Sequence, residues 1–438
     1  MYAGGWYAST RMTATSTSPA PVRLDSIDII SNDTYAQNGY PHAAWTLLRR
    51  EAPVYWYERP GVVPFWAITK HEDIVRISRQ PETFLNAPRL AVFPDLETGT
   101  PPEEIPARHL LNMDPPEHGR FRRLVSARFT PRALEPLRPS VHQICKEILD
   151  AFAAGGAETT ADFVNGVAAR LPLAVLADLL GVPRSDWELL FRWTNETIGS
   201  ADPEYQQGAT AEETAERSRL ALFSYFTEMA EQRRVQPRDD IVSVLANATL
   251  DGQPLPPFEL LSYFYVLVVA GNETTRNATS GGLLALIENP AERLKLRRQP
   301  ALINAAVEEI VRWTTPVIQF CRTAAQDVEL RGQRIGAGQN LTLFYPSANR
   351  DEDVFADPFV FRIDRNPNPH LAFGIGEHFC LGANLARLEL QVVFAQLADR
   401  LEDVELAGPV ARLRSSFVGG IKSMPIRYRM RPLGGSDK

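Results

Sequence analysis

Cys380 stands in Phe373-Gly374-Ile375-Gly376-Glu377-His378-Phe379-Cys380-Leu381-Gly382, with two glycines before it and one after. Residues without a Cβ let a backbone turn tightly and let a flat group approach it closely. Downstream, Leu381, Leu385, Leu388 and Val392 recur at helical spacing, which puts the cysteine at a helix start. The unpaired amides and positive dipole end there favour a thiolate, the form that ligates a metal. Without such a role the residue is a small buried hydrophobe. A second polar cluster, Ala270-Gly271-Asn272-Glu273-Thr274-Thr275, interrupts an apolar run. A carboxylate there is costly unless paired or solvated, so Glu273 either forms a structural ion pair or takes part in chemistry. A third candidate is His118 with Arg122, four apart and therefore on one helix face. With Arg120, Arg123 and Arg128 close by, that face is either simply solvated or a clamp for an anion, for which arginine offers a forked donor.

The run Phe-Gly-x-Gly-x-His-x-Cys-x-Gly, continued by Leu385-Ala386-Arg387, resembles the haem-ligand signature of the cytochrome P450 family. The resemblance spans Asp28 to Arg431 with the anchor motifs in order. It implies that Cys380 is the thiolate ligand of a haem b iron, with Phe373, Gly374, His378 and Gly382 around it. His118, Arg122 and Arg322 would hold the haem propionates, and Ala270 and Gly271 would lie over the haem. Glu273 and Thr274 would be an acid–alcohol pair that supplies protons on the oxygen-binding side. Glu309 and Arg312 (Glu-x-x-Arg) would tie to Arg365 as scaffold. Leu90, Phe93, Val266, Val269, Val317, Ile318 and Phe417 would line the substrate pocket.

The implied activity is a monooxygenase that inserts one atom of O2 into a C–H bond of a hydrophobic molecule. The wording Ala270–Asn277, with Gly419-Gly420-Ile421-Lys422-Ser423-Met424-Pro425, is most similar to a bacterial branch that oxidises sterols, terpenoids and methyl-branched lipids. Asn272 departs from the hydrophobic residue that many relatives have there. Nothing resembles a flavin or nicotinamide fingerprint, so a separate ferredoxin and ferredoxin reductase are the expected electron donors. A peroxide-driven peroxygenase, or a non-catalytic haem-thiolate binder or sensor, is the alternative; neither needs both Glu273 and Thr274.

These residues must be positioned by a chain of 438 residues, 44% hydrophobic and 23% charged, a composition ordinary for a globular protein. The net charge of −7 argues against nucleic acid as the main partner. Three cysteines, Cys145, Cys321 and Cys380, are too few for a disulfide framework and fit a reduced, cytoplasmic setting. Residues 1–21 lack a basic start and an apolar core and read as a disordered tail; 22–438 read as one domain. No apolar run reaches the ~20 residues of a membrane helix, and a monomer without a membrane anchor is expected.

Periodicity predicts a helix over Ala43–Arg50, strands at Val54–Tyr57 and Phe65–Ile68, and a helix start at Asp114–Glu117. Helices should dominate from Val141 to Arg234, with breaks at Ala153–Gly156 and Gly199–Gln207. The longest helix is predicted over Pro257–Asn289, weakened near Ala270–Thr275, and another over Asn304–Thr314. Short strands follow within Val328–Phe344, and Phe417–Ile421 reads as hairpin-like. The fold class expected is mostly α with small β-sheets. The resemblance makes it one triangular domain, its haem buried between the longest helix and the helix after Cys380.

Overall fold

In the computed structural model, the chain is described over residues 23–92, 109–154, 159–198, 200 and 202–431. The longest helix, Pro257–Glu288, has 32 residues, about 48 Å at 1.5 Å per residue. Proline occupies its first position, where a missing amide costs nothing. Outside the polar stretch 272–280 its residues are mostly apolar on every side, and such a helix must be buried. It packs against helices Arg170–Leu180, Trp187–Ile198, Ala211–Val235, Ile303–Thr314 and Ala383–Arg400. Gly281 and Gly282 set how close two of these come. A Cβ on Gly281 would lie 2.7 Å from Thr314 Cγ2, and one on Gly282 would lie 2.5 Å from Phe394 and 2.7 Å from Ile310.

The expected strands Val54–Tyr57 and Phe65–Ile68 form with those bounds. They join Asn340–Phe344, Gln319–Ala324 and Phe84–Leu85 in one five-stranded sheet, in that spatial order. Only the pairing of Asn340–Phe344 with Phe65–Ile68 is parallel. One side of this sheet carries a small core with Trp45, Phe65, Ile318 and Phe344. The main core lies among the helices. Helices His42–Glu51, Glu117–Ser126 and Ile303–Thr314 start and end within a residue or two of expectation at most ends.

Two expectations change. Thr159–Asp162 forms a strand inside what reads as a helical region; its partner is the distant Pro425–Met430, so nothing local announces it. Phe417–Ile421 is not a hairpin of its own. Ile421–Ser423 pairs with Ala411–Arg412, and Val418 bridges Val317. The break around 199–207 is present, since helix Trp187–Ile198 ends there and the next begins at Ala211. The expected tail and residues 93–108, with the expected pocket residue Phe93, lie outside the described residues. Among the described residues, no helix is long and apolar enough to cross a membrane.

Candidate functional site

Gly374 and Gly376 adopt φ of 67° and 79°, a region favourable only to glycine. A Cβ on Gly376 would also run into the Ser78 carbonyl oxygen. Between them these residues turn the loop so that the Cys380 amide donates to Phe373 O at 2.9 Å. Helix Ala383–Arg400 starts just beyond, capped by Gly382. Beside Gly382 a Cβ would meet nothing within 4 Å. Cys380 is exposed, whereas Cys145 and Cys321 are buried. Protein atoms nevertheless crowd around the sulfur. Burial therefore pushes the Cys380 thiol up, against the Gly382 and Ala383 amides and the charges of Arg122 and Arg387. Here burial outweighs the helix-start effect that the sequence suggested, and a cation bound at the sulfur would favour the thiolate.

Cationic and imidazole groups gather beside the loop. The His118 and His378 rings stack at 4.0 Å, 29° from parallel, and His118 Nδ1 lies 2.9 Å from Glu377 Oε1. Burial lowers His118, partly offset by Glu377. It takes His378 down to about 2, helped by the nearby charges of His118, Arg322 and Arg122. The Nε2 atoms of both rings are buried and without a hydrogen-bond partner. Arg122 Nη2 donates to Phe379 O at 2.6 Å, and the buried Arg322 donates to Cys321 O at 2.7 Å. By contrast, Arg123 is exposed, and Arg120 and Arg128 pair with Asp251 and Asp239. Orphaned ring nitrogens, two arginines and a thiol therefore face one region. That set fits a flat group with an anionic edge and a thiophilic metal, which is what haem is.

The scaffold residues come together as expected. Arg312 grips both Glu309 oxygens at 2.7 Å, and Arg365 Nε donates to Glu309 Oε2 at 3.0 Å. Arg312 and Arg365 also bond backbone carbonyls of Asn349, Pro358, Ala356 and Val360, so one buried network fixes the segment leading into the cysteine loop. Sequence reasoning missed the adjoining network. Glu308 pairs with Arg387 at 2.6 Å and His370 at 3.0 Å, and the Arg387 guanidinium lies 4.4 Å over the Phe373 ring. Glu308 and Glu309 are consecutive on one helix: Glu309 holds Arg365 and Asn368 upstream of the cysteine loop, and Glu308 joins His370 before the loop to Arg387 after it; two adjacent acids in an apolar helix were the available signal.

Across the site, the longest helix runs unbroken through 270–275. Ala270 is exposed and Thr274 half-buried amid buried neighbours, so this i, i+4 face borders open space. Thr274 Oγ1 donates to Ala270 O at 2.8 Å. Gly271 packs by Leu176, Val269 is half-buried, and Val266 is buried in the main core. Glu273 turns away from Thr274: Arg276 Nη1 donates to its Oε1 at 2.9 Å. The i, i+3 spacing of that pair was readable in the sequence and went unread. Of the expected pocket residues, Leu90 accepts from the Cys321 amide at 2.8 Å. Val317 bridges Val418, next to Phe417, and the Phe417 ring lies 5.7 Å from that of Phe320. Ile318 is a correction. It is fully buried in the small core with Trp45 and Phe344, because alternate residues of an extended segment face opposite ways.

Comparison with known proteins agrees with this arrangement. The Cytochrome P450 family profile matches residues 208–404. The methyl-branched lipid omega-hydroxylase of Mycobacterium tuberculosis is 40% identical over 417 residues, covering 93% of this chain and 95% of that one. A steroid C26-monooxygenase of Mycolicibacterium smegmatis is 41% identical over 391 residues, 87% of this chain and 89% of that one. Among solved structures, a Mycobacterium marinum cytochrome P450 in complex with pseudoionone superposes with a TM-score of 0.84 at 38% identity, covering 93% of this chain and all of the other. Likeness of this degree, sustained along the chain in sequence and in fold, includes the cysteine loop and its supports: this chain belongs to the cytochrome P450 family.

Proposed function

We propose that this chain hydroxylates a long, branched apolar lipid of the sterol, terpenoid or methyl-branched fatty acid class, with electrons from a separate ferredoxin and its reductase. The observation that carries the reading is the open Ala270–Thr274 face in the middle of an otherwise buried helix. The lipid- and steroid-oxidising relatives support the substrate class. Haem, when bound, supplies the oxidising chemistry through its iron and O2. Cys380 would hold the iron, and His118, His378, Arg122 and Arg322 the propionates. Phe373 and Arg387, stacked at 4.4 Å, brace the loop.

The chain's own work is positioning, exclusion of water and proton supply. Thr274 Oγ1 can rotate from Ala270 O to donate into the open space, and Glu273 carries protons toward it. A positioned proton donor contributes roughly 10²–10⁴-fold. The Ala270 methyl and the Phe320–Phe417 pair offer apolar wall. The cytoplasm is the proposed setting, with a monomer as the working unit.

A spectral titration tests the substrate class. Isopalmitic acid and cholestenone should each be tried for conversion of the low-spin to the high-spin haem spectrum, followed by turnover with a ferredoxin system. A hydroxylated product at a terminal methyl supports the reading. Conversion by neither compound, with turnover of small aromatics instead, would overturn it.

A further inference from the structure

Two imidazoles beside the cysteine loop are arranged in a way that neutral rings serve poorly. His118 Nδ1 lies 2.9 Å from Glu377 Oε1. An ionised carboxylate only accepts, so that nitrogen carries the hydrogen. His378 is hydrogen-bonded to the Met113 backbone, and because its Nε2 has no partner, Nδ1 is the nitrogen that donates to the carbonyl. In a neutral imidazole the other nitrogen then presents a lone pair. Both Nε2 atoms are buried and unpartnered, and the rings stack at 4.0 Å. A lone pair repels the anionic edge that this region fits, so one ring must gain a proton before it can hold that edge.

The surroundings select His118. Its partner is a carboxylate, whereas that of His378 is a neutral carbonyl. Two positive charges on rings this close repel each other, so one proton serves the stack. The Glu377 side chain is 35% exposed and that of His118 only 1%; the pair therefore meets water at its acid end. The other charges around His118 are Arg122 and Asp114, from its own segment. Arg322, on the strand Gln319–Ala324, acts on the stacked His378. Arg123 comes near Glu377, since its Nη1 and Glu377 Oε1 would lie 3.5 and 3.6 Å from a Cβ on Gly119. In this setting burial outweighs Glu377 and keeps His118 below its ordinary value. The ring is uncharged around neutral pH until a second anion faces Nε2.

We infer that Glu377 is a positioning residue that charges His118: by accepting from Nδ1 it lets His118 take up one proton at Nε2 when the anionic edge of haem arrives, which makes haem retention depend on pH. This rests on His118 facing the propionates. The proton comes from water at the exposed end of the pair. Nε2 gains an N–H that donates to a carboxylate oxygen, and no other bond forms or breaks. An anion at Nε2 raises the value at which His118 lets the proton go. The gain in retention is therefore present below that raised value and lost as the pH climbs through it.

The test follows haem transfer to apomyoglobin from wild type, Glu377→Gln and His118→Gln, from about pH 6.5, the ordinary histidine value, to about 9. Glutamine at 377 still accepts from Nδ1 but carries no charge. Glutamine at 118 still offers a donor but takes up no proton. Wild-type transfer should quicken roughly tenfold or more across this range, the weight of one hydrogen bond to a charged group. Neither variant should show that rise. Nitrogen NMR of the diamagnetic reduced carbon monoxide complex at neutral pH should find hydrogen on both His118 nitrogens in wild type, and on one in Glu377→Gln. A flat wild-type profile, an equal rise in Glu377→Gln, or a wild-type Nε2 without hydrogen would overturn the inference. His118→Gln releasing haem at the wild-type rate at every pH would instead overturn the placement of His118 at the propionates.

Discussion

Replacing Cys380 with alanine removes one sulfur from a loop whose backbone is turned by Gly374 and Gly376 and does not need it. The variant should fold, and its reduced carbon monoxide complex should lose the red-shifted band of thiolate ligation; retention of that band with full haem content would contradict the assignment. His118 and Arg122 are a second case. Each directs a donor toward the same region, and a hydrogen bond to a charged group contributes about 1.5–3 kcal/mol. His118→Ala or Arg122→Ala should therefore weaken haem retention about tenfold or more, followed as haem transfer to apomyoglobin. Arg123→Ala, on the exposed side of the same helix, should not. These residues were legible because their spacing is local: a glycine-flanked cysteine, a His-x-x-x-Arg. The partners Asn195 and Tyr205 of Arg276 were not, since they come from other elements and neither has a pattern of its own.

Elements are held at close range by residues that have no side chain at all. Helix propensity alone predicts that Gly282→Ala, inside a 32-residue helix, should stabilise by about 1 kcal/mol. The new Cβ, however, would lie 2.5 Å from Phe394 and 2.7 Å from Ile310, and overpacking costs about 1–3 kcal/mol. The clash should win. A lower urea midpoint with an unchanged slope is the expected outcome, and a higher midpoint would show that the helices separate freely. The long helix and the strands Val54–Tyr57 and Phe65–Ile68 were readable because length and apolar pattern are their own signals. Thr159–Asp162 was not, because a four-residue Thr-Thr-Ala-Asp strand exists only through its pairing with Pro425–Met430. Ile318 was misread for the related reason that side-chain direction in an extended segment depends on register, which the sequence leaves open.

At the scale of the whole molecule, buried histidines set the acid limit. Burial lowers His109 from 6.5 to about 4 and His42 well below its ordinary value, the latter helped by Arg350, Arg49 and Arg312. The unfolded chain takes up these protons near 6.5 and the folded one only at lower pH. Stability is therefore full above about pH 6.5 and falls as the pH drops toward 4, by about 3 kcal/mol for His109. Glu308 adds a later loss. Burial raises its carboxyl, but the hydrogen bonds from Arg387 and His370 outweigh this and bring it down to about 2. Its contribution is present above about 4.5 and is lost between there and about 2. Denaturation midpoints at a series of pH values should trace both windows; a flat profile between pH 7 and 5 would contradict the buried neutral histidines. The central claim concerns what the assembled protein does with oxygen. Holoenzyme supplied with a ferredoxin system, isopalmitic acid and isotopically heavy O2 tests it directly by product mass. The account predicts a hydroxylated lipid carrying one heavy oxygen atom; a product whose oxygen comes from water would contradict it.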